Sequence, residues 1–452
     1  MRSGKEAGCS HQSLHHLVSL YALLKFQFLR CGKVAAKVAC KVVDWNVLIS
    51  CQQTSEFTEA WRKTGFCPHS ENVGTKNKLG IFKINFADVE NKYLVLVIAI
   101  MFRKEKVSLQ CSLRCREQLH VSRASVDIHW DHFGFPYGTA DVSCPLPPAC
   151  QAPTHVAVTS AAIRNPGTFL EVQNQKALTV FPYNFTSCFS TMLIFTVQTV
   201  LQLVQTVEML QLLGVNRIVI YKTNCSNETQ RVLDYYTDKG LVEVVPWSLS
   251  KYLKVSRRAK PDQDPGDIHY FGQIPALNDC LYRFMYRSKY VALHDPDELI
   301  LPQTVDSSIT TKRHGADRCF NFENNWFPTE FTERPPPPNV LPALGHWHNV
   351  FGVNILTHLY REPVKPKPVF NNYKIIANPR SVFVVTVHGV LRSQENCAWV
   401  DRKTAHMYHT KARGQNGLKA QQLVYDGRLL SYSGRLTAAV NAVLNETRLL
   451  PE

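Results

Sequence analysis

The sequence predicts an α/β protein with a mainly parallel sheet over residues 183–452, preceded by a smaller β-rich domain over residues 79–182. Three observations predict it. After Pro182, stretches of strand period alternate with stretches of helix period. Between Leu79 and Leu178 only two-residue alternation and short apolar runs occur. One apolar run, Tyr290 to His294, ends in Asp295-Pro296-Asp297-Glu298, an acidic turn suited to the carboxyl edge of a parallel sheet.

Residues 1–78 show no motif and little periodicity and stay unassigned. In the β-rich part, Ile81 to Phe86 alternates, Tyr93 to Phe102 is a buried run, and His155 to Thr159 alternates again, with a loop at Cys144 to Pro148. Beyond Pro182, Thr191 to Val197 suits a strand. Val200, Leu203, Val204, Val207, Leu210 and Leu213 follow at helical spacing, closed by Gly214. Asn216 to Lys222 is the next strand, Ser226 caps a helix ending at Gly240, and Leu241 to Val245 is a third strand. Ile274, Leu277, Leu281 and Phe284 share one face of a helix reaching Arg287, and Lys289 to His294 leads into Asp295. Arg334 to Pro338 and Lys365 to Pro368 are extended loops, Arg380 to His388 a strand, and Arg428 to Leu444 a closing helical segment.

Length and composition bound the function. A chain of 452 residues with 45% hydrophobic and 19% charged residues can bury a sizeable core. The net charge of +15 points to anionic partners, such as phosphorylated substrates. No run of five like charges, zinc-finger spacing or RNP pattern occurs, so nucleic acid is not an expected partner. The 14 cysteines contain no C-x-x-C, which argues against zinc. With sequons at Asn184, Asn224, Asn227 and Asn445, they favour an oxidising, glycosylating lumen and some disulfides. The ten apolar residues from Tyr93 to Phe102 are too few to span a bilayer, and Leu14 to Leu29, broken by Lys25, suits an amphipathic helix better than the alternative, a degenerate signal anchor.

The acidic turn carries the chemistry. Residues i and i+2 of an extended chain point the same way, so Asp295 and Asp297 can reach one hard cation, Mg2+ or Mn2+, that completes its shell with phosphate oxygens. A plain Asp-Pro turn is the alternative. No P-loop pattern is present, so a diphosphate bridged through the cation suits a nucleotide-sugar donor. His388 and His409 are candidates for a third metal ligand. Glu298 and Glu323 are candidates for the base that deprotonates an acceptor hydroxyl, unranked by sequence. Arg257, in the basic loop Lys251 to Asp267, and Asp267, His269 and Gln273, in Gly266 to Gln273, are the donor-binding candidates. A solvated loop and a helix boundary account for the same residues. Trp326 and Trp347 can stack on sugars or fill the core.

At this point several blocks resemble glycosyltransferase family 92, a group of metazoan galactosyltransferases. They are Gln205 to Val215, Leu241 to Trp247, Gly266 to Gln273, Leu277 to Arg283 and Ser288 to Glu298, then Phe351 to Asn354, Tyr373 to Pro379, Val387-His388 and Tyr408-His409. The resemblance implies a GT-A type fold, Mn2+ dependence, inversion at the anomeric carbon and UDP-galactose as donor. It also implies a glycan or glycoprotein acceptor and a type II Golgi membrane protein. An N-terminal anchor is part of that expectation, and a shortened or misassigned N-terminus would account for its not being evident. Asp295 and Asp297 match the family's metal motif, Glu298 the acid after it, and His409 a late histidine. Thr410 and Lys411 stand where the family more often has an aromatic or cysteine and an arginine. Two alternatives use the same residues: a catalytically inactive glycan-binding or scaffolding relative, and a metal-dependent nucleotidyltransferase releasing pyrophosphate.

Overall fold

The computed structural model describes residues 81–85, 93–104, 108–161, 169–174, 178, 180–193, 200–303, 317–331, 347–364, 372–411 and 417–450. Expectations for residues 1–78, Leu14 to Leu29, Arg334 to Pro338 and Lys365 to Pro368 lie outside them.

The chain divides into two compact units. One holds residues 84–129 and 136–172; the other holds residues 130–135 and those from 173 onward. The first described strand is β1 (Ile81–Asn85). The first unit then contributes β2 (Tyr93–Phe102), β3 (Leu109–Cys115), β4 (Gln118–Arg123), β5 (Ser125–Ile128), β6 (Tyr137–Pro145), β7 (His155–Ser160) and β8 (Leu170–Glu171). β6 pairs antiparallel with β2 and β5, and β3 with β4 and β7. Leu96, Ile98, Leu109 and Leu113 are buried, and β2 is buried on both faces from Val95 to Met101. Disulfides Cys111–Cys144 and Cys115–Cys150 tie β3 to β6 and to the loop beyond it.

The second unit is built on β9 (Tyr183–Leu193), α1 (Val200–Leu212), β10 (Arg217–Asn224), α2 (Asn227–Asp238), β11 (Val242–Pro246), α3 (Gln273–Arg283), β12 (Ser288–Leu293) and β13 (Glu298–Pro302). β14 (Cys319–Pro328), β15 (Tyr360–Arg361), β16 (Tyr373–Ala377), β17 (Val382–Thr386), β18 (Gly389–Ser393), β19 (Ala398–Trp399), β20 (Ala405–Lys411), β21 (Val424–Tyr425) and α4 (Ser433–Glu446) follow. Its nine-stranded sheet runs β11-β10-β9-β12-β16-β14-β20-β13, with β19 beside β14.

The β11-β10-β9-β12 half is parallel throughout, as the strand–helix alternation implies. The other half is mixed: β12 to β16, β16 to β14 and β13 to β20 are antiparallel, and β14 to β20 is parallel. The expected mainly parallel sheet is therefore a mixed one, with five parallel pairings, two of them made by β14 in this second half, and three antiparallel ones. Beyond Glu298 the sequence shows no strand–helix alternation that would dictate direction.

Local causes are visible for the first two helices. The apolar positions of α1 recur at helical spacing and pack on Leu436, Val440, Val443 and Leu444 of α4. Truncating one such buried leucine to alanine costs about 2–5 kcal/mol. Gly214, at φ +90°, ends α1 in the left-handed conformation. Ser226 caps α2 by accepting from the Thr229 N–H at 3.2 Å. A disulfide between Cys188 of β9 and Cys280 fixes α3 to the sheet, and Cys319–Cys397 closes a fourth bridge.

Two boundaries differ from expectation. The strand expected to begin at Thr191 begins at Tyr183 and is described to Leu193; residues 194–197 of that expectation lie outside the described residues. Its polar residues Thr186, Ser187 and Ser190 hide it from a search for apolar runs, yet all three are buried. Arg380 to His388 is not one strand: Val387 and His388 form the turn between the antiparallel β17 and β18, so His388 sits in a turn.

Candidate active site

β12 is buried over most of its length and lies between β9 and β16, so the residues leaving its end are held by two neighbours. The turn after it is closed by reciprocal bonds. The Glu298 N–H donates to the Asp295 carbonyl at 3.1 Å, and the Asp295 N–H donates to Glu298 Oε2 at 2.8 Å. From α1, Thr206 donates its hydroxyl to the Pro296 carbonyl at 2.8 Å. From β20, the Thr410 N–H donates to the Asp297 carbonyl at 2.9 Å. Behind the turn, His294 is 2.8 Å from the Ser187 hydroxyl through Nε2 and 3.0 Å from the Asp295 carbonyl through Nδ1. Burial pushes His294 down to about 4, so it is neutral at pH 7.

The two aspartates meet different partners. Asp295 Oδ1 accepts from the Gln273 side-chain amide at 3.1 Å, and Oδ2 from the Lys374 ammonium at 2.9 Å. Lys374 also lies 3.2 Å from Glu298 Oε2. Burial opposes that ammonium, but Asp295 and Glu298 outweigh it and keep its pKa above the ordinary lysine value. Glu298 is 2% exposed, and burial together with Asp295 and Asp297 raises its pKa against the pull of Lys374 and His409.

Asp297 faces β20. Its Oδ2 is 3.3 Å from His409 Nε2 and 4.0 Å from the half-exposed Lys411 ammonium. Burial works against its charge, but His409, Lys411 and Lys374 hold the carboxyl well below its usual range. Both nitrogens of His409 are buried and make no hydrogen bond, although a carboxylate stands beside each. The Trp326 ring packs on the imidazole at 4.4 Å.

The other candidates are distributed as follows. His388 feels Lys374, Asp295 and His409, and burial first, then Lys374, lowers it to about 4. His269 is 4% exposed and stacks on Phe133 at 4.1 Å; burial lowers it to about 4 as well. Asp267 accepts from the Lys254 N–H at 2.9 Å, and Arg257 pairs with Asp264 at 3.3 Å, so both pin the loop between residues 254 and 267. Gln273, the first residue of α3, is the donor-binding candidate that bonds the acidic turn. Glu323 pairs with Arg402 at 3.5 Å and keeps part of its carboxylate in solvent.

Two residues outside those candidates belong to the site. Lys374 is one; a lysine inside the run Tyr373 to Ala377 is the signal that marks it. Tyr270 is the other, raised by burial and then by Asp295 and Asp297. It begins three successive left-handed residues, Tyr270, Phe271 and Gly272, at φ 28°, 52° and 73°. A cavity of about 550 Å3 is lined by Tyr290, Ala292 and His294.

A family model described as Glycosyltransferase family 92 matches residues 183–426, the span that contains every side chain of the acidic turn and its partners. This chain belongs to glycosyltransferase family 92. A Glycosyltransferase family 92 protein of Caenorhabditis elegans, F13G3.3, is 30% identical over 86 residues, which are 19% of this chain and 17% of that protein. The aligned stretch thus spans less than a fifth of that relative.

In this family 92 member, no group of three His, Cys, Asp or Glu side chains converges on one point among the described residues. What converges is a pair. A buried imidazole nitrogen without a hydrogen bond, 3.3 Å from a carboxylate oxygen, has the spacing of two neighbouring ligands of one cation. Nitrogen and oxygen donors suit Mn2+, and an incomplete protein shell leaves positions for phosphate oxygens.

Proposed function

We propose that this chain is a glycosyltransferase that moves galactose from UDP-galactose to a glycan hydroxyl with inversion at the anomeric carbon. The observation that carries the reading is the Asp297–His409 pair at the carboxyl edge of the parallel strands, inside a family 92 region. Asp297 and His409 would hold Mn2+. The ion when bound would stabilise negative charge on the departing diphosphate.

The remaining roles fall to the protein. Gln273 and Lys374 engage both oxygens of Asp295 and turn its carboxylate away from free rotation. Lys411, half-exposed at the rim beside Asp297, can reach a phosphate oxygen. Tyr270, at the start of the left-handed run, is near enough to the two aspartates for their charges to act on its hydroxyl. Of the two glutamates, Glu298 is committed to the turn, whereas Glu323 retains solvent access and is assigned acceptance of the acceptor proton. Four disulfides support a luminal, oxidising location, and Golgi residence belongs to the same reading. Among the described residues no helix is long and apolar enough to cross a membrane.

The test is release of UDP from a panel of UDP-sugars, with and without a glycan acceptor. Manganese-dependent UDP release from UDP-galactose supports the reading. Release of galactose 1-phosphate instead would mean transfer of the uridylyl group and make the protein a nucleotidyltransferase, and no release from any donor would make it a binding relative.

A further inference from the structure

Lys374 is a buried ammonium with two carboxylate partners at the place where a cation-binding carboxylate is expected to be free. Its side chain is 6% exposed, and it reaches the turn from β16, where Leu293 pairs with Ile375. Asp295 therefore has no unengaged oxygen: Gln273 holds one and Lys374 the other. The charges of the turn follow directly. Asp295, Asp297 and Glu298 are countered by Lys374 and by Lys411 at 4.0 Å from Asp297. With His409 neutral, as a metal ligand must be, one net negative charge remains. A divalent ion bound there alone would leave the site positive in a partly buried setting, whereas a diphosphate brings the missing negative charge.

We propose that Lys374 is a positioning and charge-setting residue that withholds Asp295 from the cation, so that the site retains Mn2+ firmly only together with a nucleoside diphosphate. The inference rests on the metal-dependent reading given above and adds to it a residue and an order of events. Asp297 and His409 make the direct contacts, and Asp295 serves as a fixed hydrogen-bond acceptor held by its lysine. If the ammonium were gone, Asp295 could rotate toward the ion, and the local charge would become more negative by one. Both changes favour cation binding without nucleotide.

The experiment measures binding of Mn2+ alone, from the loss of the free-ion electron paramagnetic resonance signal, at low ionic strength with and without UDP. Wild type, Lys374→Met and Lys374→Arg are compared, with melting temperatures as a check on folding. Wild type should bind Mn2+ at least about tenfold more tightly with UDP than without it. Lys374→Met should tighten nucleotide-free binding by roughly tenfold and shrink the UDP effect, while Lys374→Arg, which keeps the charge, stays near wild type. Tight Mn2+ binding by wild type without UDP overturns the proposal. So does a folded Lys374→Met protein whose nucleotide-free affinity is unchanged or weaker. If Lys374→Met does not fold, the wild-type comparison decides alone. Failure of wild type to bind Mn2+ with or without UDP would instead remove the metal-dependent reading itself.

Discussion

Glu298 and His409 are direct partners across the antiparallel β13–β20 pair, and that pairing sets His409 beside Asp297. A shift of one residue in either strand would turn the imidazole to the opposite face. The site is thus assembled by strand register as much as by its acidic motif.

Asp297→Asn and His409→Ala should each lower transfer by about a hundredfold or more, because each removes one of the two groups proposed to hold the cation. Both melting temperatures should stay within a few degrees of wild type. Turnover of either variant close to wild type under saturating Mn2+ would show that the cation is held elsewhere.

Glu298→Gln and Glu323→Gln separate two carboxylates that look alike in sequence. Glu298 accepts from the Asp295 N–H and faces Lys374, so its replacement should cost about 1–3 kcal/mol in denaturant titrations. Glu323→Gln should leave stability almost unchanged and reduce kcat with little effect on KM for the donor. A Glu323 variant with full kcat transfers the base to another group.

Gly272→Ala tests the left-handed run beside the site. An added Cβ would lie 2.2 Å from Leu249 Cδ1, at a backbone φ of +73°. The expected destabilisation is about 2–4 kcal/mol. A midpoint in urea equal to wild type would mean that this loop relaxes freely.

Cys188→Ser with Cys280→Ser opens a bridge between residues 92 positions apart. A loop of that length contributes about 4.6 kcal/mol by chain entropy. The double variant should melt well below wild type under non-reducing conditions, and the two should converge in a strong reductant. Equal melting temperatures without reductant would rule out this bridge as a source of stability.

Acid should destabilise the protein through its buried imidazoles. His269 and His294 are held down to about 4 from 6.5, chiefly by burial. The unfolded chain therefore binds protons below 6.5 that the folded protein refuses until about 4, so stability is lost as pH falls through that window. Each group contributes about 3 kcal/mol at most. Scanning calorimetry at pH 7.5 and pH 5 checks the sign, and His269→Gln should show a smaller acid loss. A higher melting temperature at pH 5 would contradict it.

Much of this fold is legible in the residues. The spacing of Val200, Leu203, Val204 and Val207 marks α1, Ser226 marks the start of α2, and β12 ends at the acidic turn as expected. Local periodicity suffices there because each element satisfies its own backbone and buries one face. The strand Tyr183–Leu193 escapes because its buried positions include Thr186 and Ser187, which become acceptable inside only once Ser288 and His294 arrive to bond them. Among the site residues, Gln273 and His409 can be chosen by motif and resemblance, but nothing nearby distinguishes Glu298 from Glu323.

By itself the sequence determined the order of strands and helices from α1 to β12, the family blocks and the acidic turn at the end of an apolar strand, because these depend on neighbours a few positions apart. Only the tertiary structure decided that Asp295 belongs to Gln273 and Lys374 while Asp297 faces His409. Lys374 is 79 residues from Asp295 along the chain, and contact over such a separation follows from register between strands, which no local pattern encodes.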